Sequence, residues 1–168
     1  MTDLVGHLAA LVQAGGPWLG PVLAGAAFAE AMVAIGIFVP VTPALVAIGA
    51  AVASRIMGPW LLIWVMAGAF LGNAVSYEFG RSLHARGVAP PRLPAKARAV
   101  AEALFLKHGA VSIVVARFLG PPATVAPFLA GWSRLPRGRF LAASAAASLS
   151  WPLAMAAIGF VGVWVFGC

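Results

Sequence analysis

The sequence predicts an all-α membrane protein. We expect an inverted repeat of two re-entrant helical hairpins, each followed by a transmembrane helix, plus an interfacial amphipathic helix. The chain is 62% hydrophobic and 9% charged, with a mean hydropathy of +1.00. Residues 56–77 and 140–168 carry no charge and are long enough to cross a bilayer. Two further apolar segments are broken by prolines, and each carries one charge, Glu30 or Arg117.

The composition excludes an ordinary soluble domain, which is about 25% charged. We treat 1–168 as a single membrane domain. The net charge of +7 resides in basic residues that flank apolar segments, so it indicates membrane topology and no nucleic-acid partner.

Asp3 and the lack of a basic start argue against a signal peptide. Cys168 is the only cysteine, so neither a disulfide nor a cysteine metal site is expected. The Ala, Gly and Arg richness suggests a bacterial source, and we expect a multi-pass protein of the bacterial cytoplasmic (inner) membrane.

The first unit begins with residues 1–21, predicted as a helix over 2–14 capped by Thr2 and then a Gly/Pro breaker over 15–21. Residues 22–54 form the first predicted hairpin, interrupted by the sequence GIFVPVTP. Each arm has about 13 residues, or roughly 20 Å of helix. Neither arm reaches across a hydrocarbon core of about 30 Å.

Thr42-Pro43 predicts the start of the returning arm, with Thr42 as N-cap and proline in the first turn. The predicted elements that follow are a transmembrane helix over 58–80, an amphipathic helix over 95–108, a second hairpin over 109–133 broken by FLGPP, and a transmembrane helix over 140–166.

The two hairpins share a proline-to-glycine spacing. Pro40 precedes Gly49 by nine positions in PVTPALVAIG, and Pro122 precedes Gly131 by nine positions in PATVAPFLAG. Each unit then continues into a polar turn and a long apolar segment. This spacing favours an internal repeat.

Basic residues test the hairpin interpretation. If 109–133 returns to its starting face, the basic loops 81–107 and 134–139 share one side, which the positive-inside rule places in the cytoplasm. The first hairpin then enters from the opposite face, as in the inverted repeats of many transporters. The residues concerned are Arg81, Arg86, Arg92, Lys96, Arg98, Lys107, Arg134, Arg137 and Arg139.

Glu30 is the only acidic residue between Asp3 and Glu78. A carboxylate at membrane depth costs at least about 2.5 kcal/mol, so it indicates a function such as gaining and losing a proton. The alternative is a structural glutamate that hydrogen-bonds the backbone exposed by the helix break.

Arg117 directly precedes the second break. Its guanidinium stays ionised and fits a phosphate group, and half-helix N-termini beyond Pro121 would add backbone N–H donors. Thr42 and Thr124 are added as head-group or phosphate-binding candidates. The alternative is that Arg117 is only a counter-ion for Glu30.

Tyr77 and Arg81 are secondary candidates at the end of the first span, where an interfacial aromatic and a topology anchor explain them equally well. Gly68 and Gly72 form a GxxxG pattern typical of close helix packing. The three histidines show no metal-ligand spacing, and no nucleophile pattern or P-loop is present. We therefore expect no enzyme activity, no metal and no cofactor.

The order of motifs resembles the DedA family, also called the VTT or SNARE-associated domain. An acid precedes a proline-containing break, followed by GAFLGNAVSYEFGR, KHG, ARFLG, APFLAG and GRF, over about residues 25–165. The resemblance implies two opposed re-entrant hairpins and links to lipid translocation, including undecaprenyl phosphate recycling, and to the proton-motive force.

Carried over by position, the resemblance matches Glu30 to the family's membrane-embedded acid and Arg117 to the first arginine of RFxPxxR. The pair Gly80-Arg81 matches the family's GR, and Gly131 matches its AG. Four positions depart from the pattern. Gly120 stands where the motif has its proline, and Ala123 where it has its second arginine. Asn73 stands where the first span often has an aspartate, and Thr42 lies near the position of a second acid found in some members.

These features lead to the expectation of a transporter or scramblase of an anionic lipid, either a polyprenyl phosphate or a glycerophospholipid. Its partners would be a phosphate-bearing membrane lipid and a proton. The sequence does not decide whether the chain forms a homo-oligomer. One alternative is a small-ion or proton-coupled exporter. Another is a membrane-organising protein that transports nothing and depends on the GxxxG contact.

Overall fold

Every regular element in this computed structural model is helical across the residues that it describes, 16–33, 36, 41–55, 58–88 and 95–166. The all-α class is therefore confirmed. The predicted helix over 2–14 and its cap Thr2 lie outside the described residues. The α-helices found in those ranges are α1 (Leu19–Ala31), α2 (Thr42–Ala53), α3 (Leu61–Ala85), α4 (Ala95–His108), α5 (Ser112–Arg117), α6 (Pro122–Trp132) and α7 (Arg137–Phe166).

Several helix boundaries differ from the prediction. Helix α1 begins inside the segment expected to be a breaker, because Pro21 falls in its first turn, where no helical N–H bond is required. Thr42 is the first residue of α2 and Val41 the cap, so the assignment of Thr42 as N-cap is wrong by one residue. The long helices are displaced too: α3 covers 61–85 instead of 58–80, and α7 begins at Arg137 instead of residue 140.

The two long helices, α3 and α7, organise the packing. Both are long and apolar enough to cross a membrane. Helix α1 packs on α3, which follows it, whereas α2 packs on α7. The second half repeats the scheme, since α5 packs on α7 and α6 packs back on α3. The first helix of each pair thus contacts its own long helix, and the second contacts the long helix of the other half.

Glycine pairs make the crossed contacts close. A Cβ at Gly49 of α2 would collide with the Ala156 carbonyl of α7, and one at Gly159 would meet the Val46 carbonyl of α2. In the other half, Gly131 of α6 faces the Tyr77 carbonyl. The two glycines that share the proline spacing, Gly49 and Gly131, therefore occupy corresponding backbone contacts.

Helix α1 lies on α3 through the predicted GxxxG pattern. A Cβ at Gly68 would collide with the Ala24 carbonyl, and one at Gly72 with the Phe28 carbonyl. The contact brings the end of α1 against the middle of α3. There Ser76 accepts a hydrogen bond from the Val33 N–H (3.3 Å) and donates one to the Ala31 carbonyl (3.1 Å). Ser76 thus fixes the chain just after Glu30.

Candidate functional site

A cavity of about 360 Å³ lies where α1 and α5 end and where α2 and α6 begin, against the middle of α7. The proline-containing breaks create it, because each break leaves two helix ends where a continuous helix would fill the space. Polar and apolar side chains share its walls, which are formed by Glu30, Gly36, Thr42, Arg117, Phe118, Gly120, Pro121, Ala123, Thr124, Trp151 and Met155.

Arg117, the last residue of α5, is almost fully buried in this wall, with 5% of its surface exposed. Its Nη2 lies 3.5 Å from Oε2 of Glu30, and its guanidinium carbon lies 4.3 Å from the centre of the Trp151 ring. Nε has no hydrogen-bond acceptor within the described part of the chain. The guanidinium therefore keeps unused donor capacity beside a cavity.

Glu30 lies near the end of α1 and has two partners. One is Arg117, at a distance longer than the 2.7–2.9 Å or so of a tight charge-assisted bond. The other is the backbone N–H of Val41, which donates to Oε1 over 3.4 Å at the start of α2. The carboxylate thus lies at the positive end of the α2 dipole. The structural role considered for Glu30, bonding to backbone at the break, is present together with the ion pair.

Thr42 and Thr124 lie in the first turns of α2 and α6, and both line the cavity. The hydroxyl of Thr124 donates to the Pro121 carbonyl (3.1 Å), so in this arrangement its proton is not directed at the cavity as a donor for a phosphate. Thr42 and Thr124 thus bring two helix N-termini to one cavity, and the free N–H groups at a helix N-terminus favour an anion. Ala123, where the family pattern has a second arginine, also lines the cavity. The cavity wall thus has one acid and one base among the residues described.

Tyr77 and Arg81 are not brought to this cavity. The Tyr77 ring stacks on Phe140 at 4.1 Å between centroids, and its hydroxyl donates to the Leu135 carbonyl. Arg81 donates from Nη1 to the same hydroxyl over 3.4 Å. These contacts join α3 to the turn before α7, so they support the structural interpretation of both residues.

Trp151 and Met155 line the cavity without having been predicted as site residues. Trp151 directly precedes Pro152 inside α7, and both side chains are buried. A tryptophan beside a proline in the middle of an apolar segment could have indicated the position, since interfacial tryptophans lie at segment ends. Within the described ranges no group of three or more His, Cys, Asp or Glu residues could hold a metal ion.

The all-helical fold and the two helices long and apolar enough to cross a membrane agree with the class of α-helical membrane proteins. The sequence profile of the VTT domain matches residues 39–161, and the chain belongs to this family, as the resemblance to DedA proteins predicted. Protein DedA of Escherichia coli K12 is 27% identical over 160 residues, covering 92% of this chain and 73% of that protein.

Inner membrane protein YqjA of Escherichia coli K12 is 34% identical over 128 residues, and Inner membrane protein YqjA of Shigella flexneri has the same identity and length. The match covers 74% of this chain and 58% of the length of each YqjA protein. No solved structure matches the chain. The YqjA proteins are named as inner membrane proteins.

Proposed function

We propose that this protein is a transporter or scramblase of an anionic lipid, with the phosphate of the head group held in the cavity by Arg117. The observation that carries the proposal is a buried guanidinium whose Nε has no acceptor in the described part of the chain, beside two helix N-termini. Arginine suits a phosphate because its planar fork offers paired donors. The lipid would be a polyprenyl phosphate or a glycerophospholipid.

The membrane arrangement is part of the proposal. Helices α1 and α2 would form one re-entrant hairpin and α5 and α6 the other, entering from opposite faces. Their lengths support this, since α2 has 12 residues and α6 has 11, whereas a span needs about 20. The loops around 81–107 and 134–139 would lie in the cytoplasm. The hairpin tips and the cavity would then lie near the bilayer midplane.

Glu30 would couple the lipid to a proton. While the cavity holds no phosphate, Glu30 is the counter-ion of Arg117 at 3.5 Å. An entering phosphate competes for the same guanidinium, and a second anion beside it is unfavourable. Binding a proton removes the charge of Glu30 and favours the phosphate complex. Loss of that proton restores the ion pair and favours release of the lipid.

The test uses the full chain in vesicles that contain a fluorescent phosphatidylglycerol, whose movement between leaflets is followed. We expect Arg117→Gln to abolish lipid movement, and Glu30→Gln to allow movement but remove its dependence on a pH gradient. The matched controls are Arg137→Gln and Glu78→Gln, because this exposed pair (2.8 Å) also joins an arginine to a glutamate but lies outside the cavity.

The result also separates the alternatives. Wild-type lipid movement in both Glu30→Gln and Arg117→Gln contradicts the proposed mechanism. Ion flux without lipid movement would identify the small-ion or proton-coupled exporter. If both charge substitutions are tolerated in cells and the protein moves neither lipid nor ions, it is a membrane-organising component. Changes at Gly68 and Gly72 should fail in every case, because both glycines pack against α1 of the same chain. The dependence of lipid movement on the number of protein copies per vesicle shows whether a second copy of the chain is needed.

A further inference from the structure

A second buried polar feature lies between the long helices, one helical turn beyond the cavity. Asn73 of α3 donates from Nδ2 to the Ser148 hydroxyl of α7 over 3.4 Å. Ser144 lies one turn before Ser148 on the same face of α7, since residues four apart are neighbours on a helix. We call Asn73, Ser144 and Ser148 the polar seam. At most 2% of the surface of any of the three is exposed.

Some polar groups of the seam have no hydrogen-bond partner within the described part of the chain. Neither Oδ1 of Asn73 nor the Ser144 hydroxyl has a hydrogen-bond partner among the residues described. In addition, the Ser148 carbonyl lacks its usual helical donor, because the residue four positions on is Pro152, which has no N–H. Buried polar groups are almost always hydrogen-bonded, and buried water is the common partner where protein groups are missing.

The two ends of the seam connect to different parts of the molecule. Trp151 follows Ser148 by three positions on α7, and its ring lies under the guanidinium of Arg117, so this end adjoins the cavity. At the other end Tyr77 stacks on Phe140, and both rings are buried. Beyond this stack lies Arg81, which bonds to the Tyr77 hydroxyl.

We propose that the polar seam holds ordered water and conducts protons between the Glu30–Arg117 cavity and the end of α3 that carries Arg81, with the Tyr77–Phe140 stack as its gate. A water molecule or a serine hydroxyl accepts one proton and donates another, so its proton count is unchanged, and it then rotates back before the next transfer. Asn73 holds the water in place through Oδ1. The seam supplies the route that Glu30 needs, and the inference rests on the proposed function.

The charged groups at the two ends of the seam are suited to accept and release protons. Arg117 of α5 is the charged side chain that faces Glu30, while α2 and α7 contribute the uncharged Thr42, Trp151 and Met155. No other described cavity residue is titratable, so Glu30 is the proton acceptor at that end. At the gate the ion pair of Glu78 with Arg137 lies at the surface, where protons exchange with water.

Proton flux tests the seam directly. The full chain is placed in vesicles of phosphatidylethanolamine and phosphatidylglycerol with a trapped pH-sensitive dye, and a pH step is applied. We expect the double variant Ser144→Ala/Ser148→Ala, and separately Asn73→Leu, to lower the flux to that of protein-free vesicles. Tyr77→Phe keeps the stack but loses the hydroxyl that bonds to Leu135, so it should raise the flux.

The matched control is Ser150→Ala, which also removes a serine hydroxyl from α7 but one that bonds to the Ala147 carbonyl outside the seam. Thermal unfolding in detergent shows that each variant is folded. Wild-type flux in a folded seam variant, or an equal loss in Ser150→Ala, overturns the proposal.

Lipid movement without a pH gradient separates this proposal from the proposed function. We expect the seam variants to keep that movement. A wild-type protein that moves lipid but conducts no protons overturns the seam and leaves the lipid function standing. A wild-type protein that conducts protons through the seam but moves no lipid overturns the lipid function alone.

Discussion

The guanidinium of Arg117 lies over the Trp151 ring, with its central carbon 4.3 Å from the ring centre. The two residues belong to different helices of the second half, and Trp151 is buried. A desolvated cation over a tryptophan is stabilised by about 2 kcal/mol. Trp151 thus stabilises the positive charge of Arg117, which interacts only weakly with Glu30 at 3.5 Å.

Substitution of Trp151 should therefore weaken the site and the fold together. We expect Trp151→Leu to lower the unfolding temperature and to reduce lipid movement, since it removes about 2 kcal/mol of cation–π stabilisation. Trp151→Phe keeps a ring face and should have a smaller effect. The control is Trp164→Leu near the end of the same helix, where the side chain is 83% exposed and the substitution should be neutral.

Glu30 and Arg117 should show strong energetic coupling. Removing either partner leaves a buried charge without compensation, which costs about 3–5 kcal/mol. We expect Glu30→Gln and Arg117→Gln each to lower the free energy of unfolding, and the double variant to lower it by less than their sum. A double-mutant cycle in detergent measures this coupling. Additive losses would show that the two side chains do not interact in the folded protein.

The crossed glycine contacts predict a position-specific effect along α7. Gly159→Ala places a methyl group against the Val46 carbonyl and should destabilise the protein by about 1–3 kcal/mol. Gly162→Ala, three residues further on, meets open space and should be neutral or slightly stabilising, because alanine favours helix. Unfolding temperatures of the two variants make the comparison. Equal values would contradict the close α2–α7 approach.

Cysteine labelling tests the proposed hairpin arrangement. In a Cys168→Ser background, Arg86→Cys and Ser133→Cys should react with a membrane-impermeant thiol reagent only from the cytoplasmic side, and Ser54→Cys only from the opposite side. All three positions are exposed in the structure, so access depends on the membrane alone. Labelling of positions 86 and 133 from opposite faces would mean that the segment between them crosses the membrane.

Local sequence signals predicted the helices and the principal pair of the site. Apolar segments of a given length and the proline breaks largely determine the helices. A single charge in each broken segment identified Glu30 and Arg117 as site candidates, with their ion pair as one interpretation. Helix ends were less predictable: Pro21 and Thr42 each fit more than one position of a first turn, so the sequence pattern alone could not choose between them.

Contacts between distant segments were not predictable in the same way. The contact partners of Trp151 and Ser148 follow from how α7 crosses α3 and α5, which no local pattern encodes. By sequence alone, Ser144 and Ser148 belong to a face of small residues on the last predicted span, which indicates close helix packing. Only the structure shows that the face meets Asn73 and leaves polar atoms without partners.

Each half packs its second helix on the long helix of the other half, so movements of the two halves are coupled. Because α2 is held on α7 through backbone contact at Gly49, and α6 on α3 through Gly131, neither pair can tilt without displacing the long helix of the other half. If the pairs open to opposite sides of the membrane, opening one would drive closure of the other by rigid contact. Access from the two sides would then alternate without a separate coupling element.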